Sequence, residues 1–206
     1  LSRKNNIAGC CSTAFSMLRD YQKSGWRWLA TLAHYGFGGI LADDMGLGKT
    51  VQVIALIHTL RHLETSREHP VLIVAPSSLV LNWKAEFNKF APDLEVVVMD
   101  GPRQERARAR EIALGADAVL TSYPLIRRDI AELREISFLA CILDEAQHIK
   151  NPDTANAHAV KGIVATYRFA VTGTPMENTP TELWSVFDFL MPGSLLSHRQ
   201  FQQRYE

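Results

Sequence analysis

Residues 43–50 combine the residue types that bind phosphate. Glycines at 46 and 48 allow a sharp turn and leave backbone N–H groups uncovered by side chains. Those N–H groups, together with the positive end of a following helix, attract phosphate oxygens. Lys49 would reach the β- and γ-phosphates of a nucleotide, and the Thr50 hydroxyl would bind Mg²⁺. The residues predicted to surround the nucleotide are Asp44, Met45, Gly46, Leu47, Gly48, Lys49 and Thr50.

The surroundings of this stretch decide between two interpretations. The full phosphate-loop pattern has glycine where this chain has Asp43, so an ordinary strand–helix turn with a solvated lysine is the alternative. An apolar run at 37–42 precedes the turn. Apolar residues three apart, beginning at Val51 and Ile54, follow it. This order of strand, tight loop and helix favours the phosphate loop.

A pair of carboxylates supplies the second part of a nucleotide site. Asp144 and Glu145 follow the continuous apolar run 138–143. Adjacent carboxylates at the end of a buried strand are costly unless a cation needs them. In a nucleotide site Asp144 would hold Mg²⁺, and Glu145 would orient or deprotonate the attacking water. The alternative is an acidic pair that opens a helix and is stabilised by its dipole.

The elements that must position these residues alternate between strands and helices. Strands are predicted at 37–42, 71–75, 94–98, 118–121, 138–143 and 167–171. Helices are predicted from Phe15, after Thr50, from Pro124, and over 78–90, 103–113, 153–165 and 180–190. Continuous apolar strands separated by helices predict an α/β fold, a parallel sheet covered on both faces. Ligands of such sheets bind at the carboxyl ends of the strands, where both candidate stretches fall.

Four local predictions concern single side chains or the exposed surface of one helix. Ser77 or Ser78 is predicted to cap the helix 78–90, and Trp83 to pack in the core. Cys141 is predicted to be a small core residue. The helix 103–113 is predicted to be solvated rather than a DNA-binding stripe, since acidic residues are interleaved with its arginines, Arg103, Arg106, Arg108 and Arg110.

Composition limits the remaining classes. The 206 residues include 22 basic and 22 acidic side chains, so any DNA surface must be a local patch. No apolar run approaches the roughly 18 residues of a membrane span. The three cysteines, an odd number, fit neither a zinc site nor a disulfide framework and indicate a reducing compartment. We expect an irregular tail over 1–14 and one domain over 15–206.

The chain resembles a known family through three motifs in the family's order. The loop D-D-M-G-L-G-K-T, the box D-E-A-Q-H at 144–148 and the stretch T-G-T-P at 172–175 are similar to those of the N-terminal RecA-like lobe of a Swi/Snf-family ATPase. That family belongs to helicase superfamily II and translocates on double-stranded DNA. The resemblance covers about residues 15–206 and implies a P-loop NTPase fold, a three-layer sandwich. Aspartate is ordinary for the family at the position of Asp43, so the missing glycine of the general phosphate-loop pattern does not count against this resemblance.

The resemblance also implies roles for single residues. Gln22 matches the glutamine that reads the adenine edge, although a surface helix glutamine is the alternative. The residues similar to those that couple the γ-phosphate to DNA are Gln147, His148, Thr172, Gly173 and Thr174. The candidate DNA contacts are Ser77, Ser78, Asn82, Thr121 and Ser122. Strand-end hydroxyls that cap a helix are the alternative for the last two.

The resemblance further implies ATP and Mg²⁺ as cofactors and double-stranded DNA as partner, bound together with a second RecA-like lobe that this sequence does not contain. A DNA-bound protein would be the remodelling target. The chain is expected to be a monomeric fragment, nearly inactive alone and without membrane attachment. It would reside in the cytoplasm, associated with the nucleoid, if bacterial, or in the nucleus if eukaryotic. Two alternatives remain, a non-catalytic nucleotide-sensing scaffold and the lobe of a strand-separating helicase.

Overall fold

A parallel β-sheet forms the centre of the molecule. The computed structural model describes residues 13–63, 69–173 and 180–205. The strands are β1 (Gly39–Leu41), β2 (Val71–Ala75), β3 (Val96–Val98), β4 (Ala118–Ser122), β5 (Ser137–Leu143) and β6 (Val164–Val171). They are ordered β1-β6-β5-β2-β4-β3, and every neighbouring pair is parallel. The predicted α/β fold with a parallel sheet is confirmed.

Helices connect the strands and cover both faces of the sheet. They are α1 (Thr13–Ser16), α2 (Asp20–His34), α3 (Lys49–Leu63), α4 (Val80–Phe90), α5 (Arg103–Ala113), α6 (Tyr123–Arg128), α7 (Ile130–Leu133), α8 (Ala155–Lys161), α9 (Pro180–Leu190) and α10 (His198–Tyr205). Short 3₁₀ turns occur at Ser77–Leu79 and Ala146–Ile149. Among the helices of the described ranges, none combines the length and apolar character needed to cross a membrane.

Alternating side chains of the central strand β2 enter two separate cores. Along β2, Val71 and Ile73 point into one core, whereas Leu72 and Val74 point into the other. The first core packs against α2, α3 and α4, and the second against α6, α8 and α9. A strand with both faces covered in this way must be apolar at every position, which explains the continuous apolar runs in the sequence.

Several predicted boundaries differ from the structure. Helix α1 begins at Thr13, inside the segment predicted to be irregular, and β3 begins at Val96 rather than at 94. The predicted serine cap of α4 is wrong. Ser77 and Ser78 lie in a 3₁₀ turn, α4 begins after Leu79, and no side chain caps either element. Helices α7 and α10 were not predicted, because they are short and lack a long apolar period.

The prediction that α5 is a solvated helix is correct for most of its length but wrong for Arg106. This arginine is buried with 5% of its surface exposed, and its Nη2 donates to Asp129 Oδ1 at 2.9 Å. A buried guanidinium is tolerated because this carboxylate and the Gly101 carbonyl accept from it. The partner lies 23 residues away, so helix periodicity alone could not identify it.

Candidate nucleotide-binding site

The carboxyl ends of the strands form one edge that carries both candidate stretches. Strand β6 lies between β1, which leads into the phosphate loop, and β5, which leads into Asp144. Leu41 pairs with Val171, and Leu143 pairs with Ala170, so these three strands end at the same level. The sheet therefore places the loop 43–50 and the acidic segment 144–148 on either side of the residues that follow β6.

Gly173 lies directly against the phosphate loop. A Cβ atom placed on this glycine would lie 2.8 Å from Met45 Cγ and 3.6 Å from Lys49 Nζ. A side chain at this position would therefore displace Met45. The absence of a side chain allows the segment after β6 to approach the loop closely.

The phosphate loop takes its shape from two glycines with left-handed backbones. Gly46 has φ 82° and Gly48 has φ 73°, values that L-residues rarely adopt. A Cβ on Gly48 would also collide with the Gln22 amide, whereas one on Gly46 would meet only open space. Helix α3 begins at Lys49. The N–H groups of its first turn lack partners within the helix, as at any helix start, which suits a phosphate cradle in front of the loop.

Lys49 and its neighbours hold the loop together. Lys49 Nζ donates to the backbone carbonyls of Asp43 at 2.7 Å and Asp44 at 2.9 Å. The Asp43 carboxylate accepts from Gln52 Nε2 at 3.0 Å, so the aspartate that stands in place of a glycine is fixed by the helix behind it. Thr50, the second residue of α3, is half-buried beside this lysine.

Gln22 joins α2 to the phosphate loop. Its side chain is 7% exposed, its Oε1 accepts from the Arg19 N–H at 2.9 Å, and its Nε2 donates to the Leu47 carbonyl at 3.0 Å. The alternative of an exposed surface glutamine is therefore wrong. Each polar atom of the amide retains capacity for one further hydrogen bond.

Asp144 is the buried carboxylate of the site. Its Oδ2 accepts from Trp83 Nε1 at 2.8 Å, and its Oδ1 accepts from the Glu145 N–H at 3.0 Å. Its carbonyl accepts from the Tyr123 hydroxyl at 2.8 Å. Burial, with the charge of Glu145, raises the pKa of Asp144 above its usual value, while the Trp83 and backbone hydrogen bonds and the charge of Lys49 oppose the rise. A cation at this carboxylate would offset the cost of burying its charge.

Glu145 is held in a strained backbone conformation by a short chain of side chains. Its φ of 50° and ψ of 58° are left-handed, which costs an L-residue about 1–2 kcal/mol. Its Oε2 accepts from Gln147 Nε2 at 2.7 Å, and Gln147 Oε1 accepts from the Thr172 hydroxyl at 3.2 Å. Of the predicted coupling residues, Gln147 therefore contacts both Glu145 and Thr172, and Thr172 is linked to Glu145 through Gln147.

The remaining predicted site residues occupy different environments. His148 packs its ring against Tyr123, with ring centroids 4.7 Å apart. Ser77, Ser78 and Asn82 are exposed beside the same sheet edge, at the 3₁₀ turn and the first turn of α4. Thr174 lies outside the described residues.

Thr121 and Ser122 differ from the other candidate DNA contacts because both side chains are buried, with 0% and 3% of their surface exposed. The Thr121 hydroxyl donates to the Met99 carbonyl at 3.2 Å. A buried hydroxyl that is already bonded inside the fold does not face a ligand. Thr121 is therefore corrected from a DNA contact to an interior strand residue. Ser122 is buried at the end of β4, and its side chain does not cap α6.

The donors at this edge fit Mg²⁺ better than a metal held by protein alone. Within the described ranges, no group of three or more His, Cys, Asp and Glu side chains could hold a metal ion. Mg²⁺ usually binds one or two protein oxygens, several waters and phosphate oxygens of a nucleotide. The Thr50 hydroxyl and the Asp144 carboxylate are oxygen donors of that kind.

The sequence did not predict the contacts of three side chains that shape the site, those of Trp83 and Tyr123 with Asp144 and that of Gln52 with Asp43. Trp83 was assigned to the core, and it is buried, but its N–H reaches Asp144. A buried indole N–H or phenol O–H almost always needs an acceptor, which is the signal that could have identified Trp83 and Tyr123. Burial, with the charge of Asp144, raises the pKa of Tyr123 well above 10.0, so its hydroxyl stays a proton donor.

A glycine-turned phosphate loop and an acidic strand end, one strand apart in a parallel sheet, define a P-loop lobe of the RecA-like class. The family model "SNF2-related domain" matches residues 21–206. The chain therefore belongs to the SNF2-related domain family, and its resemblance to the N-terminal lobe of a Swi/Snf-family ATPase is confirmed.

Individual relatives agree with this assignment. The chain is 44% identical over 198 residues to the TATA-binding protein-associated factor MOT1 of Saccharomyces cerevisiae. This match covers 91% of this chain and 11% of that protein. It is 47% identical over 192 residues to the putative ATP-dependent helicase/translocase YwqA of Bacillus subtilis, covering 91% of this chain and 20% of that protein. The chain thus spans a small part of these relatives.

A solved structure shows the same fold. The Sulfolobus solfataricus SWI2/SNF2 ATPase core in complex with dsDNA superposes with a TM-score of 0.82 at 40% sequence identity. The match covers 90% of this chain and 38% of that one. This similarity confirms the RecA-like fold predicted from the sequence.

Proposed function

We propose that this chain is the ATP-binding lobe of a DNA-dependent ATPase that couples ATP hydrolysis to movement along duplex DNA and remodels bound protein. The observation that carries the proposal is the placement of Lys49 and Asp144 at the same sheet edge, after the carboxyl ends of the two strands that flank β6. Phosphoryl transfer to water depends on positive charge at the phosphates and on a carboxylate near the attacking water. Lys49 and the carboxylates of Asp144 and Glu145 are groups of these two kinds, and their common position at this edge supports the proposal.

Each side chain has a role in this proposal. Lys49 would leave its carbonyl partners and neutralise charge on the β- and γ-phosphates, and Gln22 would pair with the adenine edge. Glu145 would orient the attacking water and accept its proton. Thr50 and Asp144 would hold Mg²⁺, which would neutralise the phosphate oxygens and the charge that develops on them.

The coupling residues connect the carboxylate to the neighbouring strand. The hydrogen bonds from Thr172 to Gln147 and from Gln147 to Glu145 form a continuous path from the end of β6. A shift of the segment that contains Gly173 would therefore move the carboxylate that faces water. We propose the same coupling role for His148 and for Thr174.

The DNA-binding part of the proposal rests on the exposed end of α4. Ser77, Ser78 and Asn82 present small hydroxyl and amide groups there. Such groups contact phosphates and fix position without reading sequence. The archaeal core was solved with dsDNA and the yeast relative is named for its association with TATA-binding protein, which supports duplex DNA and a DNA-bound protein as partners. The expected location is accordingly the nucleoid or the nucleus.

We propose that full activity needs a second RecA-like lobe. An arginine supplied by a partner domain can be worth about 10³–10⁵ in rate in such enzymes. The curated relatives are five to ten times longer than the matched region, which leaves room for that lobe. The lobe by itself should bind Mg·ATP weakly and turn it over very slowly.

The test is ATP hydrolysis by the full-length protein with and without duplex DNA. We expect duplex to stimulate hydrolysis, and both Lys49→Ala and Glu145→Gln to remove the stimulated rate. Lys49→Ala should also weaken ATP binding, whereas Glu145→Gln should leave binding intact because it alters the carboxylate that faces water. Displacement of a third strand from a DNA triplex, without opening of a forked duplex, would establish translocation.

Two outcomes would contradict the proposal in different ways. Nucleotide binding that Lys49→Ala abolishes, with no hydrolysis under any DNA condition, would leave a nucleotide-sensing scaffold. ATP-dependent opening of the forked duplex would instead assign the chain to a strand-separating helicase.

A further inference from the structure

The Asp144 carboxylate is fixed by donors on both of its oxygens. The indole N–H of Trp83 donates to Oδ2 at 2.8 Å, and the N–H of Glu145 donates to Oδ1 at 3.0 Å. Two donors on opposite oxygens prevent rotation of the carboxylate plane about its Cβ–Cγ bond. Each oxygen keeps a lone pair, so the carboxylate remains able to bind a further ligand.

Trp83 reaches this carboxylate from a distant part of the chain. It lies on α4, and 61 residues separate it from Asp144. Its side chain is 2% exposed and contacts Phe87, with ring centroids 6.2 Å apart. The close packing around the ring gives the indole N–H a fixed position, so the location of the donor follows the location of the helix.

The same helix has an exposed end next to the site. Asn82 immediately precedes Trp83 in the sequence and is exposed, and Ser77 and Ser78 lie in the turn that leads into α4. The first turn of α4 therefore carries an exposed amide, Asn82, and a buried donor to Asp144 one residue further on, and the two exposed serines lie in the turn before it.

We propose that Trp83 is a positioning residue that fixes the orientation of Asp144 and transmits the position of α4 to it. The inference rests on the proposed function, in which Asp144 helps to hold Mg²⁺ and the start of α4 contacts DNA. Groups that orient a metal-binding side chain are worth about 10–100-fold in metal affinity or activity. A role limited to packing would require only the aromatic ring.

Trp83→Phe separates these roles because it keeps an aromatic ring and removes the N–H. The matched control is Trp26→Phe. Trp26 is also buried, 4% exposed, and donates its indole N–H to the Thr59 hydroxyl at 3.1 Å. Both substitutions leave one buried acceptor without its donor, but only the indole N–H of Trp83 donates to a residue of the proposed metal site.

The first measurement is the affinity of the full-length protein for ADP with Mn²⁺ and for ADP with a chelator, by calorimetry. Trp83→Phe should reduce the gain in affinity that Mn²⁺ provides by about 10-fold, with little change in chelated ADP binding. Trp26→Phe should leave both values as in the wild type. The second measurement is ATP hydrolysis, in which Trp83→Phe alone should raise the Mg²⁺ concentration for half-maximal rate and lower the stimulation by duplex.

The outcomes distinguish this inference from the proposed function. If the wild type hydrolyses ATP and Trp83→Phe matches Trp26→Phe in both measurements, the inference is wrong and the proposed function stands. If Mn²⁺ adds nothing to ADP binding in the wild type and duplex does not stimulate hydrolysis, the proposed function fails and the inference falls with it.

Discussion

The two halves of the nucleotide site are built in different ways. Lys49 is held by carbonyls of its own loop, five and six residues away in the sequence. Asp144 is held by Trp83 and Tyr123, which lie 61 and 21 residues away. The phosphate loop is thus defined by local backbone geometry, whereas the acidic segment depends on packing between distant helices. The comparison predicts that substitutions in the two halves will have different effects on stability and on ligand binding.

Both halves contain a residue with a left-handed backbone, and these two residues allow the strongest test of the difference. Gly48 has φ 73°, and a Cβ there would collide with the Gln22 amide. We expect Gly48→Ala to weaken ADP binding by about 100-fold, because small displacements of a binding loop are costly. The free energy of unfolding should fall by about 1–2 kcal/mol for the left-handed alanine, and by about 1 kcal/mol more because the displaced Gln22 amide loses its hydrogen bond to the Leu47 carbonyl. Calorimetric titration and urea unfolding measure the two effects.

Gly193→Ala is the matched control for this substitution. Gly193 has φ 76°, and a Cβ there would meet nothing within 4 Å. The control should lose only the backbone part of that stability, about 1–2 kcal/mol, while its ADP affinity stays unchanged. Equal ADP binding by both variants would show that the shape of the loop at Gly48 is not needed for the nucleotide.

In the acidic segment the left-handed position is occupied by Glu145 with φ 50°. Glu145→Gly and Glu145→Ala both remove the carboxylate and its bond with Gln147, but only alanine keeps the Cβ that causes strain. We expect the glycine variant to be more stable than the alanine variant by about 1 kcal/mol, with ATP hydrolysis lost equally in both. Thermal unfolding and an ATPase assay provide the comparison. Equal stability would mean that the backbone at this position is not strained in solution.

Asp93 is a reference carboxylate outside the site. Its substitution has the smallest expected effect on stability. Partial burial acts to raise the pKa of Asp93. This effect is outweighed by the hydrogen bond from His58, by a backbone hydrogen bond and by the charges of His58 and His62. The net result is a pKa lowered from 3.8. A lowered folded-state pKa adds stability above the unfolded-state pKa, and this stability is lost as the pH falls through the folded-state value. Asp93→Asn should therefore cost less than about 1 kcal/mol at pH 5, because Asp93 is 54% exposed.

The cost of the same substitution should be smaller at pH 2.5 than at pH 5, because the stability that a lowered pKa provides is lost as the pH falls from the unfolded-state pKa through the folded-state value. Urea unfolding at the two pH values gives the difference. A cost that does not change with pH would show that the pair with His58 contributes through packing rather than charge.

The contrast between the two halves also explains what the sequence could predict. The phosphate loop could be identified because its glycines, lysine and threonine act within one short stretch. The parallel sheet could be identified because strands with two covered faces are apolar throughout. The hydrogen bond from Trp83 to Asp144 and the burial of Arg106 and Thr121 depend on which distant elements pack together. The spacing of apolar residues in a sequence indicates which face of a helix is buried, but not which other element packs against that face.

The position of β1 in the sheet has a consequence for synthesis of the protein. Gly39 pairs with Phe169, and in the described sheet β1 has no strand partner other than β6. Ribosomes add about 5–20 residues per second, so about 7–26 s separate the emergence of these two residues. During that time the strand that leads into the phosphate loop lacks its partner. We therefore expect a nascent chain to acquire nucleotide binding only after β6 has left the ribosome.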